Sequence, residues 1–573
     1  MKKGRIVGAV IVLYCTVVFG IFLGKTGFFG TATHTSIGGN EITTEDTTNT
    51  ETNIGMIEGQ HLNFTSDINT DILSRHALPS LERMEKNDQE KYVNNLQVIK
   101  KAKALGIGKR DFLYPELKMS DIGKKIDVLN DIFNEDKEKI IFNGTTSEDL
   151  QQVIDTNQNK IIDIESEQIQ LNNTITLRDN IILNGNGVKF ISNNVNIGII
   201  AENIENVWIN NICIEGNINY GLYFVDCTNV KVTENKINEC SQKAICLIGN
   251  TEGFELSKNT MFHNGAGTIY ISGNVSSGLI EENTIENSQG TSNWMAGIVL
   301  TSDNPQDKQN IWNNFDAGHR CPYRENLYEQ TMAPHNIILK NNYVLQGNSS
   351  GIYSDGAYLC YVLGNKVKSN DKEGICLDNG TIGFYLKENI FEGNGRRIRQ
   401  TDEDLQLDFV LESGRMEDGS AKSKLPGVSL DNTAYNILEN NIVINNYGGG
   451  IKMVRTTVRC LIMENIVKDN NWGQNDIFHF FGIEIGAASA GAESTDMDFA
   501  SDYENIICRN SITGNHYSGV FIGEECYVND IFDNIIMEPQ MFAIEAISEK
   551  FNSIVNNVSN AGIRNECQEG GNL

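Results

Sequence analysis

Gly374–Asn394 reads GICLDNGTIGFYLKENIFEGN, and Gly427–Asn446 reads GVSLDNTAYNILENNIVINN. Each stretch opens on Gly, alternates apolar and other residues, and reaches an Asp-Asn pair: Asp378-Asn379 in one, Asp431-Asn432 in the other. A polar corner follows, then a short β-prone run ending at an Asn, then another short apolar run. Following that Asn along the chain gives Asn235, Asn259, Asn283, Asn342, Asn365, Asn389, Asn441, Asn465, Asn510 and Asn534. Most steps are 23 or 24 residues, and three widen to 59, 52 and 45. A fixed period with occasional insertions is the signature of a solenoid. Three short strands per period, each alternating inward and outward, make one coil of stacked parallel β-strands. The recurring Asn is expected to stack on its neighbours at the corner between the second and third strands, bonding backbone groups there.

The motif Gly-apolar-x-apolar-x and the Asn period resemble the right-handed parallel β-helix proteins of the pectate lyase-like superfamily. That group includes pectate lyases, polygalacturonases and alginate C5-epimerases. The resemblance covers roughly residues 165 to 560 and implies an all-β, right-handed parallel β-helix, a single-stranded solenoid. It also implies that a sugar polymer lies along the face carrying the Gly-led strands. The repeat is specific for fold and weakly so for function.

The 573 residues carry 46 Lys and Arg against 75 Asp and Glu, a net charge of −29. Such an acidic chain does not take nucleic acid as its main partner. Twelve Cys are scattered without CxxC or metal-ligand spacing. Cys360 and Cys460 each stand five residues before a repeat Asn, so they are expected in the core as small hydrophobes.

Residues 1 to 29 read as a signal-anchor: Lys2, Lys3 and Arg5 precede an apolar run over residues 6–24, of membrane-spanning length. This predicts a single-pass anchor with the remainder outside the cell, or a secreted chain if the segment is cleaved near Ala32. Residues 30 to 60 are a Thr-, Asn-, Glu- and Gly-rich linker. Residues 61 to 150 carry apolar positions three and four apart and predict a small helical segment capping the solenoid, which then occupies 151 to 573. Nothing in the sequence sets an oligomeric state.

The long steps place insertions near 302–334, 395–426 and 487–504. The first and third follow a Gly-led strand and the second precedes one, so all three flank one face, where a binding cleft is expected. On that face the outward residues of GIYSD, GICLD and GVSLD are Tyr353 and Asp355, Cys376 and Asp378, Ser429 and Asp431. The next coils offer Lys452, with Arg455 at the corner, and then Glu484. Coils about 4.8 Å apart should stack Asp355, Asp378 and Asp431 in a column that Lys452 and Glu484 continue. Asp is also a common corner residue that bonds its own backbone, and Asp226 stands at a similar corner far from any insertion. The first insertion adds His319, Arg320, Tyr323, Arg324 and Tyr328, and the second adds Arg396, Arg397 and Arg399. Arg clusters in an acidic chain point to carboxylate or sulfate on the ligand. His335, in MAPHN, is a minor candidate.

Three functions are compatible. A polysaccharide lyase or C5-epimerase on a uronate polymer removes H5 beside a carboxylate, which must be neutralised by Arg or Ca²⁺. Asp355, Asp378 and Asp431 would hold Ca²⁺, Lys452 or Arg455 would be the base, and Tyr353 or His319 the proton donor. The resemblance to pectate lyases implies this division of labour. An inverting hydrolase similar to polygalacturonases is the alternative, although the Asn-Thr-Asp and Gly-His-Gly motifs of that family are missing. A non-catalytic glycan-binding or envelope protein is the third.

Overall fold

The computed structural model describes residues 119 to 565, apart from 135–136, 266, 291–294, 303–332, 397–424, 455–456, 471–480, 487–501, 503, 515–516, 524–525, 527–528 and 548–551. The expected anchor, linker and most of the 61–150 segment lie outside the described residues. Among the described residues no helix is long and apolar enough to cross a membrane.

Among the described residues thirty-nine strands, most of them short, join in one sheet, and each pairs in parallel with its equivalent one coil along. Three ladders result. The first holds the Gly-led strands, such as Ile352–Asp355, Ile375–Asp378 and Val428–Asp431. The second holds Tyr361–Leu363, Tyr385–Lys387 and Ile437–Glu439. The third holds Lys366–Lys368, Ile390–Glu392 and Ile442–Ile444. Pairing continues unbroken across insertions: Thr301 is in register with Asp355, and Ile375 with Val428.

Alternation decides what goes inside. Ile352, Ile375, Leu377, Val428 and Leu430 have no exposed surface and belong to one apolar core running the length of the coils. Burying such side chains contributes roughly 1.5–3 kcal/mol each. The leading Gly has a steric cause: a Cβ on Gly374 would meet the Gly427 carbonyl oxygen at 2.7 Å.

The repeat Asn forms the expected ladder. Asn365 Nδ2 donates to Asn389 Oδ1 at 3.0 Å, and Asn389 Nδ2 to Asn441 Oδ1 at 2.9 Å. The Asn365 backbone N–H also reaches Asn389 Oδ1, at 2.9 Å, and Asn389 Nδ2 reaches the Val362 carbonyl at 2.7 Å. These bonds satisfy backbone groups that the corner takes out of the strand pattern. The residue before the Asn is left-handed, as at Glu388 (φ 57°) and Asn440 (φ 54°). A second ladder, five residues on, links Asn370, Asn394, Asn446 and Asn470. Cys360 and Cys460 are fully buried, and burial pushes both thiols up to about 12.

Two helices flank the coils. Helix α1 (Met119–Asn134) lies on the outer side of the second ladder, with Phe133 5.7 Å from the Trp208 ring and Lys125 2.9 Å from Glu252. Helix α2 (Ser147–Thr156) covers the first end of the core with Leu150 and Ile154. It is capped by Thr146, whose hydroxyl accepts from the Asp149 N–H. Gln151 extends the end coil by bonding both backbone groups of Thr176. The first strand, Lys139–Phe142, precedes residue 151, so the coils begin earlier than the sequence pattern indicates.

Candidate functional site

The two halves of the Asp-Asn pair do different work. Asn379 (φ 44°) and Asn432 (φ 51°) are left-handed, as is Gly356 (φ 80°) at the same place in the preceding coil. Asn and Gly adopt that conformation most readily, so they turn the corner. Asp378 and Asp431 end the strand itself. Asp226, also left-handed (φ 51°), occupies the corner position and not the aspartate position. It accepts a hydrogen bond from the Asn250 N–H at 2.7 Å, which is a structural task.

Register sets the geometry of the face. Thr301, Asp355 and Asp378 are direct neighbours in one column. Asp431 stands in the next coil and pairs onward with Val454. A second column, two residues upstream, contains Val299, Tyr353, Cys376, Ser429, Lys452 and Glu484. Lys452 and Glu484 therefore do not continue the aspartate column, as the spacing had indicated. Val454 and Gly486 do, because Lys452 and Glu484 are the second residues of their strands and the aspartates are the fourth.

Tyr353 joins the columns. Its hydroxyl donates to Asp378 Oδ2 at 3.2 Å, and both residues are buried. Burial first, then the charges of Asp378 and Asp355, push the phenol far above its ordinary range, so it keeps its proton. Asp378 also accepts from the Asn379 N–H at 2.8 Å. Its backbone is held from inside, where Thr381 Oγ1 donates to the Asp378 carbonyl at 2.7 Å and meets Ser354 Oγ at 2.9 Å. Tyr353 and Cys376 pack with Ala296 and Val299 in a small apolar cluster separate from the main core.

Between Tyr353 and Lys452 the second column holds only the small residues Cys376 and Ser429. Three coil steps separate the ends, roughly 14 Å. Cys376, Ser429 and the neighbouring Asp378 are themselves buried, and Asp431 is only partly so. Lys452 is partly exposed and lies 3.5 Å from Glu484.

Arg396 is bound to Asp371 through two nitrogens, at 2.9 and 3.1 Å, close to the third ladder. His335 stacks on Tyr358 with centroids 4.6 Å apart and meets the Ala333 carbonyl, which gives it a structural place. His319, Arg320, Arg324, Arg397, Arg399 and Arg455 lie outside the described residues. Among the described residues no group of three or more His, Cys, Asp or Glu is placed to hold a metal ion. Asp378 is already engaged by the Tyr353 hydroxyl and the Asn379 N–H.

Sequence reasoning missed the buried pair of Arg459 and Glu504, 2.5 Å apart, which spans the third insertion. Arg459 also lies against Tyr435. A basic and an acidic residue 45 positions apart gave no periodic signal. It also missed the tyrosines on the earlier coils of the same face.

The family model for the right-handed β-helix region matches residues 130–283 and 244–394, and that for the periplasmic copper-binding protein NosD matches 323–473. No curated protein matches the chain by sequence. Among solved structures, the A-module of a mannuronan C-5 epimerase from Azotobacter vinelandii is similar at 14% identity over 73% of this chain and 96% of that one, with a TM-score of 0.45. The catalytic unit of an α-1,3-glucanase from Streptomyces thermodiastaticus is similar at 10% identity over 77% and 70%, with a TM-score of 0.41. These likenesses concern the fold. The chain is a right-handed parallel β-helix protein.

Proposed function

We propose that the protein is an exported, carbohydrate-active enzyme that acts on a uronate polysaccharide as a lyase or C5-epimerase. The observation that carries this reading is the buried Tyr353–Asp378 hydrogen bond on the coils flanked by the insertions. A phenol held protonated at neutral pH can give its proton only to a strongly basic group, such as the alkoxide that departs late in the reaction. Asp378 positions the phenol. Asp431, next in the aspartate column and only partly buried, is the carboxylate placed to take H5, with Arg455 as the alternative base. Lys452 neutralises the substrate carboxylate, and the Arg-bearing insertions add to this. In a lyase, loss of H5 forms the C4–C5 double bond, the C4–O bond breaks, and Tyr353 protonates the departing oxygen. In an epimerase Asp431 keeps the proton it took, and a different proton, from Tyr353, is delivered to C5 from the opposite face.

The spacing of Asp355 and Asp431 supports a second reading. Two coil steps put them roughly 10 Å apart, at the upper edge of the inverting-hydrolase range. Export rests on the basic and apolar N-terminal residues. The test is turnover of a uronate polymer by Tyr353→Phe. A fall in kcat with KM and thermal unfolding unchanged supports the proton-donor role, and unchanged kcat removes it.

A further inference from the structure

In so acidic a chain the outward lysines mostly find carboxylates. Lys231 lies 3.1 Å from Glu255, Lys387 3.1 Å from Glu439, Lys368 2.6 Å from Glu392, and Lys340 is paired with Glu281. Lys243 departs from this pattern. Among the described residues it makes no ion pair, and it stands between two aromatic rings. Its Nζ is 4.2 Å from the centre of the Tyr270 ring and 5.7 Å from that of Tyr220. Tyr223 completes the group, edge-on to Tyr220 with centroids 5.3 Å apart. All four residues are only partly buried.

Their position ties them to the candidate site. Tyr223, Cys246, Tyr270, Val299 and Tyr353 follow one another in a single column of the first ladder. Tyr270 also packs against the cluster of Ala296, Val299, Tyr353 and Cys376. An apolar path thus leads from Tyr353 to the tyrosine–lysine group. Two coil steps put Tyr270 roughly 10 Å from Tyr353, and four put Tyr223 roughly 19 Å away. That is the reach of a few consecutive sugar rings along the coil axis.

From this we infer that Tyr220, Tyr223, Lys243 and Tyr270 form a distal subsite that binds a uronate residue of the polymer undergoing reaction at Tyr353. The inference rests on the uronate reading of that site. Tyrosine rings present apolar area to the C–H face of a sugar while keeping a polar tip in water. A cation held over those rings, with no carboxylate paired to it among the described residues, is available to the carboxylate of the bound sugar. The subsite selects chain length and charge and takes no part in the chemistry.

The test is calorimetric titration of the full chain with oligouronates of three and of twelve residues. Lys243→Met and Tyr220→Ala should each weaken the twelve-residue probe by about tenfold. Neither should change the affinity for the three-residue probe or kcat on it. Lys243→Arg should retain tight binding, Lys243→Met should flatten its salt dependence, and Lys231→Met should behave as wild type. Equal losses on both probes, or none on either, would overturn the subsite while leaving the uronate reading in place. Failure of the wild-type chain to bind either probe would overturn both.

Discussion

The coils from about residue 205 to 286 and those from 298 to 486 share one scaffold and differ on one face. In both, the Asn ladder has the same geometry: Asn235 Nδ2 to Asn259 Oδ1 is 3.0 Å, and Asn389 Nδ2 to Asn441 Oδ1, across an insertion, is 2.9 Å. In both, the inward residues of the first ladder have almost no exposed surface. The outward column differs. In the earlier coils it runs Val225, Ile248 and Ser272, and in the later ones Thr301, Asp355, Asp378, Asp431, Val454 and Gly486. An uninterrupted solenoid needs only the first kind of column. Acidic residues, a buried phenol and long insertions appear together on the same coils, and this co-occurrence separates chemistry from corner-turning.

The sharpest way to test the contrast is by activity. Tyr353→Phe should lower turnover of a uronate polymer by about a hundred- to ten-thousand-fold, the usual size of a lost proton donor. Ser272→Ala, on the same face of the plain coils, should leave turnover unchanged. Comparable losses in the two variants would show that the face acts as a scaffold throughout.

The next effect belongs to the later coils alone. Arg459→Met should destabilise the fold by roughly 3–5 kcal/mol in denaturant melts, because Glu504 is left buried without its cation. The double variant Arg459→Met with Glu504→Leu should recover much of that loss. No recovery would show that the pair is not a coupled unit.

The shared scaffold makes the opposite prediction, of equality. Asn259→Ala and Asn389→Ala each strand buried donors on the preceding coil and should each cost roughly 2–5 kcal/mol. A cost confined to one region would break the claim that both run on the same ladder.

The smallest effect is one of pH. Burial holds the His335 imidazole below its ordinary 6.5. As pH falls below that value the unfolded chain takes up a proton that the folded chain resists, so stability declines through that window. His335→Gln should flatten the decline in thermal melts between neutral pH and the folded-state value. An unchanged slope would rule out His335 as its source.

Much of the fold was legible because a solenoid repeats its constraints. One Asn every 23 or 24 residues marks a corner, and one Gly per coil marks a close backbone approach. The site was legible only in part. The alternation placed Tyr353 and the aspartates outward, but GIKMV carries no aspartate to fix its phase, and Lys452 was read into the wrong column. The bond between Tyr353 and Asp378 joins different coils and depends on side-chain reach, which a period does not encode. Lys243 and Tyr270 lie in adjacent coils with no shared motif. Only their meeting over a single ring reveals them.

The most direct test of the central claim is to incubate a uronate polymer with the full chain in deuterium oxide and follow both ultraviolet absorbance and deuterium at C5, with Asp378→Asn alongside. The account predicts unsaturated ends or deuterium at C5 with the wild-type chain, and a fall of at least about a hundredfold in Asp378→Asn. Reducing ends without unsaturation or C5 exchange would move the function to hydrolysis. A product signal that Asp378→Asn leaves intact, or no signal from any uronate polymer, would contradict the assignment of this face as a uronate-processing site.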